Sequence, residues 1–464
     1  MLRTHTCGQL NENNLEEKVT LVGWVSSRRD HGKIIFVDLR DRYGITQLIF
    51  LPKPEELNKK AKKIRSEDVV KIEGVVNKRP SKTENPNIST GLIEICVERL
   101  TFLSQSDELP FELDQDKEVS EELKLQHRYL YLRKPEITKK FILRHKLNQG
   151  LRDFLNKKDF LEVETPILTK STPEGARDFL VPSRLQPAKF YALPQSPQLF
   201  KQILMVSGLD KYYQIVRCFR DEDLRKDRQP EFTQLDIEAS FLEEDDILEL
   251  TEKMLADIFL DVLGIKLKVP FPKISYQESM EKYNSDKPDI KEGATSSEYR
   301  FLWVTDFPLF EYNQEDKRWQ SLHHPFTAPN KEDIDKLKNK DLSRVRSRSY
   351  DLVLNGQEIG SGSVRIHSTD IQEKVFEILG ISGEEAKEKF GFLLRSFKFG
   401  VPPHAGIAFG LDRLYAIITK SDSIRDIIAF PKTQRGISPL TGAPAVVSRD
   451  QLDELNIKTK EQES

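Results

Sequence analysis

From Val19 to about Leu103 hydrophobic and polar residues alternate in short runs, VTLVGWVSS, KIIFVDLRD, ITQLIF, VVKIEGVV and LIEICVERL. A period of two places every second side chain on one face, as in half-buried strands. A charged run of helical character, EELNKKAKKIR, follows the third. Five strands with one interposed helix predict a small Greek-key barrel of the OB type; strand count alone leaves an unrelated small barrel open. From Ser104 to Leu123 the chain turns acidic and polar and reads as a linker. The expected division is therefore a barrel over 1–104, a connection over 105–134 and a second domain over 135–464.

Between Pro135 and Lys157 the period becomes helical, with Phe141, Leu143, Leu147, Leu151, Phe154 and Leu155 as an apolar stripe. FLEVETPIL reads as a strand ended by Pro166. Further strands are YYQIVRCFR, EFTQLDIEASF, SYDLVLNG and EIGSGSVRI, followed by HAGIAFGLDRLYAIIT, a Gly-rich strand running into a helix. Strand pairs joined by hairpins, with helices between them, predict an α+β domain with a mainly antiparallel sheet rather than a doubly wound one.

The length of 464 residues exceeds the roughly 250–300 at which single cores stop growing, which agrees with more than one domain. Lys and Arg total 72 against 75 Asp and Glu, a net charge of −3, so any nucleic-acid contact must use local patches. Cys7, Cys96 and Cys218 are far apart and form no CxxC pair, which argues against a disulfide framework and a structural zinc site. The N-terminus MLRTHTCGQL has no apolar signal core, and no run approaches the roughly 18 apolar residues of a membrane span. A cytoplasmic protein is expected, with no membrane partner.

Candidate chemistry gathers in three segments. If PEFTQLDIEAS is a strand, Phe232, Gln234, Asp236 and Glu238 share one face and Thr233, Leu235, Ile237 and Ala239 the other. The polar face is either a solvated outer surface or the floor of a site, with Phe232 stacking on a ring and Asp236 holding an ammonium. Arg220 ends the partner strand beside Asp221, Glu222 and Asp223, where a cation meets a phosphate. In GIAFGLDRL, Gly406 and Gly410 either allow close backbone approach to a ligand or serve ordinary packing at a strand-to-helix turn, and Arg413 opens a helix whose dipole favours anions. In SYDLVLNGQEIGSGSVRIHS the Asn355-Gly356 turn brings Asp351 and Glu358 together, as surface acids or as a shared Mg²⁺ site. Alternation sets Glu358 and Arg365 on opposite faces, so joint service of one site requires a bulge near Gly360–Gly362. No GxxxxGK[ST] or GxGxxG element is present.

FLEVETPIL, FRDED…RQPEFTQLD and GIAFGLDRL together resemble the three signature motifs of the class II aminoacyl-tRNA synthetases. STPEGARDF, LPQSPQLFKQ, HHPFT and EIGSGSVRIH narrow the resemblance to the bacterial aspartyl-tRNA synthetases over nearly the whole chain. It implies ATP and L-aspartate as substrates, Mg²⁺ as cofactor, tRNA as partner and a homodimer whose interface includes residues up to Pro166. It places ATP at Arg220, Asp221, Glu222, Gln229, Phe232, Glu358, Gly410, Leu411, Asp412 and Arg413, with Arg220 and Arg413 as the catalytic phosphate clamps and the metal at Asp351 and Glu358. It places aspartate at Glu174, Ser196, Gln198, Lys201, Arg220, Gln234, Asp236, His323, His324 and Arg365, the last bidentate to the side-chain carboxylate.

On the barrel the resemblance implies anticodon contacts at Arg29, Phe36 and Gln47, beside Arg28; barrel core is the alternative for Phe36. Ile49 departs from the family, where an aromatic is often found. His31 resembles enzymes that also charge tRNA for asparagine, and Lys82 those that do not. An inserted domain of about a hundred residues after SDKPD, usual in bacterial relatives, is reduced here to a short bridge near 290–302. Competing readings are asparagine activation, a silent RNA-binding paralogue and an aspartate–ammonia ligase. The clustered cations Lys201 and Arg365 favour an anionic substrate side chain.

Overall fold

The computed structural model describes residues 1–113, 119–172, 176–291, 295–296, 298–338 and 341–460. Backbone packing divides the chain into two compact units, Met1–Thr138 and Lys139–Ser464.

In the first unit β1 (Lys18–His31), β2 (Ile34–Asp41), β3 (Gly44–Phe50), β4 (Val69–Lys78) and β5 (Ile93–Ser104) close a barrel in the order β1-β2-β3-β5-β4. Alternation explains the closure: Ile35, Val37 and Leu39 of β2 meet Leu48, Phe50 and Ile72 inside, while Phe36 and Asp38 face outward. The helix α1 (Glu55–Ala61) is shorter than its charged run, which ends in turns that drop Ile64 into the barrel core. Phe111 and Leu113 of the acidic connection are buried. They meet Leu130 in a small apolar cluster beside α2 (Glu121–Gln126) and α3 (Arg128–Tyr131). Arg133 then bonds Glu67 at 2.8 Å and lies 5.3 Å from the Trp24 ring centre. Two apolar residues are too few to show as a period, yet they suffice once folded chain lies beside them.

The helix α4 (Pro135–Lys157) has the predicted bounds. Beyond it come β6 (Leu161–Glu162), the hairpin β7 (Leu180–Pro182) and β8 (Phe190–Ala192), α5 (Gln198–Val206), β9 (Lys211–Phe219), β10 (Glu231–Ser240) and α6 (Glu244–Leu263). Then follow β11 (Lys273–Ser275), β12 (Phe301–Thr305), the hairpin β13 (Phe310–Asn313) and β14 (Arg318–Ser321), β15 (Ser349–Leu354), β16 (Gln357–Val364) and β17 (His404–Gly410). Eight of these strands form one sheet in the order β11-β12-β15-β16-β17-β10-β9-β6. It is antiparallel except at its two ends, where β11 runs parallel to β12 and β6 to β9.

One sheet face is apolar: Leu235, Ile237 and Ala239 of β10 and Ile407 and Phe409 of β17 pack with Leu147, Leu151 and Leu155 of α4 and Ile247, Leu255 and Phe259 of α6. The other face carries the polar residues of β10. Of FLEVETPIL only Leu161 and Glu162 pair, with Tyr212 and Tyr213 at the sheet edge. Hydrophobic pattern marks extended chain, but a strand also needs a neighbour, and Pro166 has no N–H to give one. No helix among the described residues is long and apolar enough to cross a membrane.

Candidate active site

The polar face of β10 is a site floor rather than a solvated surface. Asp236 pairs with Gln214 of β9 and Ala408 of β17, and Glu238 with Tyr212 and Gly406; both acids are fully buried. Two distant elements supply cations. Lys201 on α5 places Nζ 2.9 Å from Asp236 Oδ1 and 3.3 Å from Glu238 Oε2. Arg365, just past β16, donates from Nε and Nη2 to the two Glu238 oxygens at 2.9 and 3.1 Å. Its Nη1 lies 2.6 Å from Ser363 Oγ and 2.7 Å from His324 Nε2.

Burial alone would push the Glu238 carboxyl up, but Arg365 and Lys201 outweigh it and hold the group at about 2. His324 moves well below its ordinary value, through burial first and the Arg365 cation second, and so stays neutral. Asp236 Oδ2 and Gln198 Nε2 are buried without a hydrogen-bond partner among the described residues. Each such group costs roughly 1–3 kcal/mol unless a ligand meets it. A carboxylate oxygen and an amide donor at one end of a cavity suit an ammonium and an acid oxygen.

Two expectations change here. The bidentate edge of Arg365 is already held by Glu238, and its Nη1 by Ser363 and His324. Gly406 makes room for Glu238 and not for a ligand, because a Cβ there would stand 2.0 Å from Glu238 Oε2. At Gly410 a Cβ would meet nothing nearer than the Ile359 carbonyl at 4.0 Å, and that glycine does line the cleft.

The hairpin of β15 and β16 turns at Asn355 and Gly356, with φ of 50° and 76°. Leu352 faces Gly360 but Val353 faces Glu358, so Ile359 is the extra residue of a bulge. The bulge expected near Gly360–Gly362 lies one residue earlier. It returns Glu358 to the face that carries Ser361 and Ser363. Asp351 pairs with Ser361 and lies 3.2 Å from His323 Nε2. Burial and then Asp351 raise the Glu358 carboxyl, against the pull of Arg413 and His323. His323 is raised as well, since Asp351 outweighs the burial that lowers it. Two carboxylates straining against each other fit a hard cation that takes its remaining oxygens from phosphate or water. Among the described residues no group of three or more His, Cys, Asp and Glu makes a metal site alone.

Beyond the floor opens a cleft of about 730 Å³, within the roughly 300–1,000 Å³ of small-molecule sites. The guanidinium of Arg220 lies 5.1 Å from the Phe232 ring centre. Arg413 donates to the Glu358 carbonyl and lies 3.4 Å from Asp227 Oδ2. Ser196, Gln198, Lys201, Asp221, Glu222, Gln229, Gln234, Asp236, His323, His324, Glu358, Arg365 and Asp412 also line the cleft. Gln229, Leu411 and Asp412, all expected at ATP, are engaged by protein. The Gln229 amide bonds both backbone groups of Lys432, Leu411 is buried in the main core, and Asp412 gives its oxygens to Arg144 and to the Thr233 N–H. Glu174 lies outside the described residues. Sequence reasoning missed the anchoring role of Glu238 and all of Arg144; a fully buried acid on a polar strand face was the available signal for the first.

On the barrel, Arg29 pairs with Phe36, which pairs with Ile49, and Asp38 with Gln47, whose side chain is largely covered. Phe36 takes no part in the barrel core, so the core alternative for it falls. Arg29 lies 3.0 Å from Asp38 and 3.3 Å from Gln47, which donates to Glu94 at 2.8 Å. Arg28 turns away to the carbonyls of Lys62 and Ile64. His31 meets Phe36 edge-on at 5.7 Å, and Lys82 holds left-handed backbone in the β4–β5 loop, with φ of 75°.

A barrel with a stacking surface, together with a phosphate-ready cleft over an antiparallel sheet, defines a nucleotide-using enzyme that handles nucleic acid. A family model described as tRNA synthetases class II (D, K and N) matches residues 120–434, and the chain belongs to that family. An OB-fold nucleic acid binding domain matches residues 19–103. The chain is 45% identical to the Aspartate--tRNA(Asp/Asn) ligase of Persephonella marina, over 98% of this chain and 97% of that one. It is 43% identical to the protein of the same name from Aquifex aeolicus, over 99% and 98%. Among solved structures, asparaginyl-tRNA synthetase from Pyrococcus horikoshii complexed with asparaginyl-adenylate superposes with a TM-score of 0.77 at 25% identity, covering 93% of this chain and 99% of that one.

Proposed function

We propose that this chain is an aspartate–tRNA ligase, which activates L-aspartate with ATP and transfers it to tRNA. The carrying observation is the buried floor, where two cations, Lys201 and Arg365, face two anions, Asp236 and Glu238. An incoming ammonium on Asp236 and side-chain carboxylate toward Lys201 and Arg365 add no net charge. Asparagine shares the ammonium and the α-carboxylate but would set a neutral amide where aspartate sets a carboxylate toward Lys201 and Arg365.

No protein nucleophile is needed. The aspartate α-carboxylate attacks the α-phosphorus of ATP, pyrophosphate leaves, and the terminal ribose hydroxyl of tRNA then displaces AMP from the mixed anhydride. Arg220 and Arg413 neutralise phosphate charge, Phe232 offers its ring to adenine, and Ser196, Gln198 and Gln234 orient the amino acid. Asp351 and Glu358 would hold Mg²⁺, which supplies charge neutralisation at the phosphates when bound. Arg29, Phe36 and Gln47 stack on and bond splayed anticodon bases.

Exposed Ile142 on α4 and Leu161 on the edge strand β6 support a homodimer built through residues up to Pro166. The alignment with the Persephonella marina ligase runs over 588 positions although this chain has 464 residues, which supports absence of an inserted domain, expected near 290–302. The cytoplasm is the proposed location. The names of the relatives, Aspartate--tRNA(Asp/Asn) ligase, support charging of both tRNA(Asp) and tRNA(Asn), with His31 resembling the enzymes that do so and Lys82 those that do not. Charging purified tRNA(Asp) and tRNA(Asn) side by side tests this: aspartate should load onto both, and loading of neither removes the reading.

A further inference from the structure

The carboxylate of Asp412, beside the phosphate clamp Arg413, is held from a direction the motifs do not reveal. Arg144 on α4 places Nη1 2.5 Å from Asp412 Oδ1 and 3.2 Å from the Ile427 carbonyl, and Nη2 3.1 Å from Thr233 Oγ1. Its guanidinium lies 5.3 Å from the Tyr415 ring centre. The second Asp412 oxygen accepts the Thr233 N–H at 2.8 Å. Thr233 directly follows Phe232. One guanidinium therefore grips the two chain positions next to the adenine platform and the phosphate clamp, although it does not itself line the cleft. The Asp412 side chain is 4% exposed, so without Arg144 it would be a buried charge left unpaired. It would then rotate, release the Thr233 N–H and let β10 shift against the helix Leu411–Ile418.

We propose that Arg144 is a positioning residue, which sets the separation of Phe232 and Arg413 by locking Asp412 onto Thr233. The inference rests on the assignment of ATP to Phe232 and Arg413. Displacing a reactive group by about 1 Å costs on the order of a hundredfold in rate, so the lock should be visible in kinetics. The test is ATP–pyrophosphate exchange by the purified full chain, as wild type, Arg144→Met, Arg144→Lys, Asp412→Asn and Arg144→Met with Asp412→Asn.

The expected result for Arg144→Met is a rise in KM for ATP of about tenfold or more, with KM for aspartate within about twofold. Arg144→Lys, which keeps the charge but loses the fork, should fall between it and wild type. The double variant should be no worse than the poorer single one, because both break one lock. Thermal melting confirms that each variant is folded; if Arg144→Met is not, Arg144→Lys and Asp412→Asn carry the same comparison of the two KM values. Equal changes in both KM values, no change, or multiplying effects in the double variant would overturn the proposal. Absence of exchange in the wild type would instead refute the functional reading itself.

Discussion

Glu238 shows how much of the site depends on one charge. Glu238→Gln keeps the shape but leaves Arg365 and Lys201 short of an anion, a kind of break that costs about 3–5 kcal/mol. The fold holds this carboxyl near 2, below the roughly 4.3 of an unfolded glutamate, so its contribution is fully present above about pH 4.3 and fades as pH falls toward 2. Urea unfolding of wild type and Glu238→Gln should show a constant gap from pH 5 to about 8 that narrows below pH 4. A gap that widened on acidification would contradict the assignment. The period of β10 made this acid visible in sequence. Its partners were not, since alternation cannot say which remote cation reaches which acid, and Arg144 meets Asp412 only through the fold.

At the scale of elements, β17 makes a sharper claim, because its two glycines serve different ends. Gly406→Ala would force a methyl into the Glu238 carboxylate and the Ile237 carbonyl, at 2.0 and 2.3 Å. It should lower stability by about 1–3 kcal/mol or more, as overpacking does, and weaken aspartate binding along with it. Gly410→Ala meets open space at ordinary backbone φ, so melting should stay within about 2 °C of wild type while KM for ATP rises. Thermal melts with kinetics on both variants separate the two roles. The pattern GIAFG announced a special strand without telling ligand approach from packing room. The bulge at Ile359 was legible for a better reason: Glu358 and Arg365 could serve one face only if the alternation broke between them. FLEVETPIL pairs only at Leu161 and Glu162, at the edge of the sheet among the described residues, because pattern marks extended chain but not how far it has a partner.

For the whole molecule, the five barrel strands and the helix at Pro135–Lys157 stand where periodicity puts them. The connection does not, since its cluster around Phe111 depends on contacts that no local period encodes. The second unit alone holds the floor, the carboxylate pair and both phosphate clamps. Activation should therefore require no RNA and should obey the charge of the floor. Pyrophosphate exchange into ATP, measured without tRNA and with aspartate or asparagine as the amino acid, puts this to the most direct test. Exchange with aspartate and a rate at least about a hundredfold lower with asparagine is the predicted result; equal exchange with both, or exchange with asparagine alone, would contradict it.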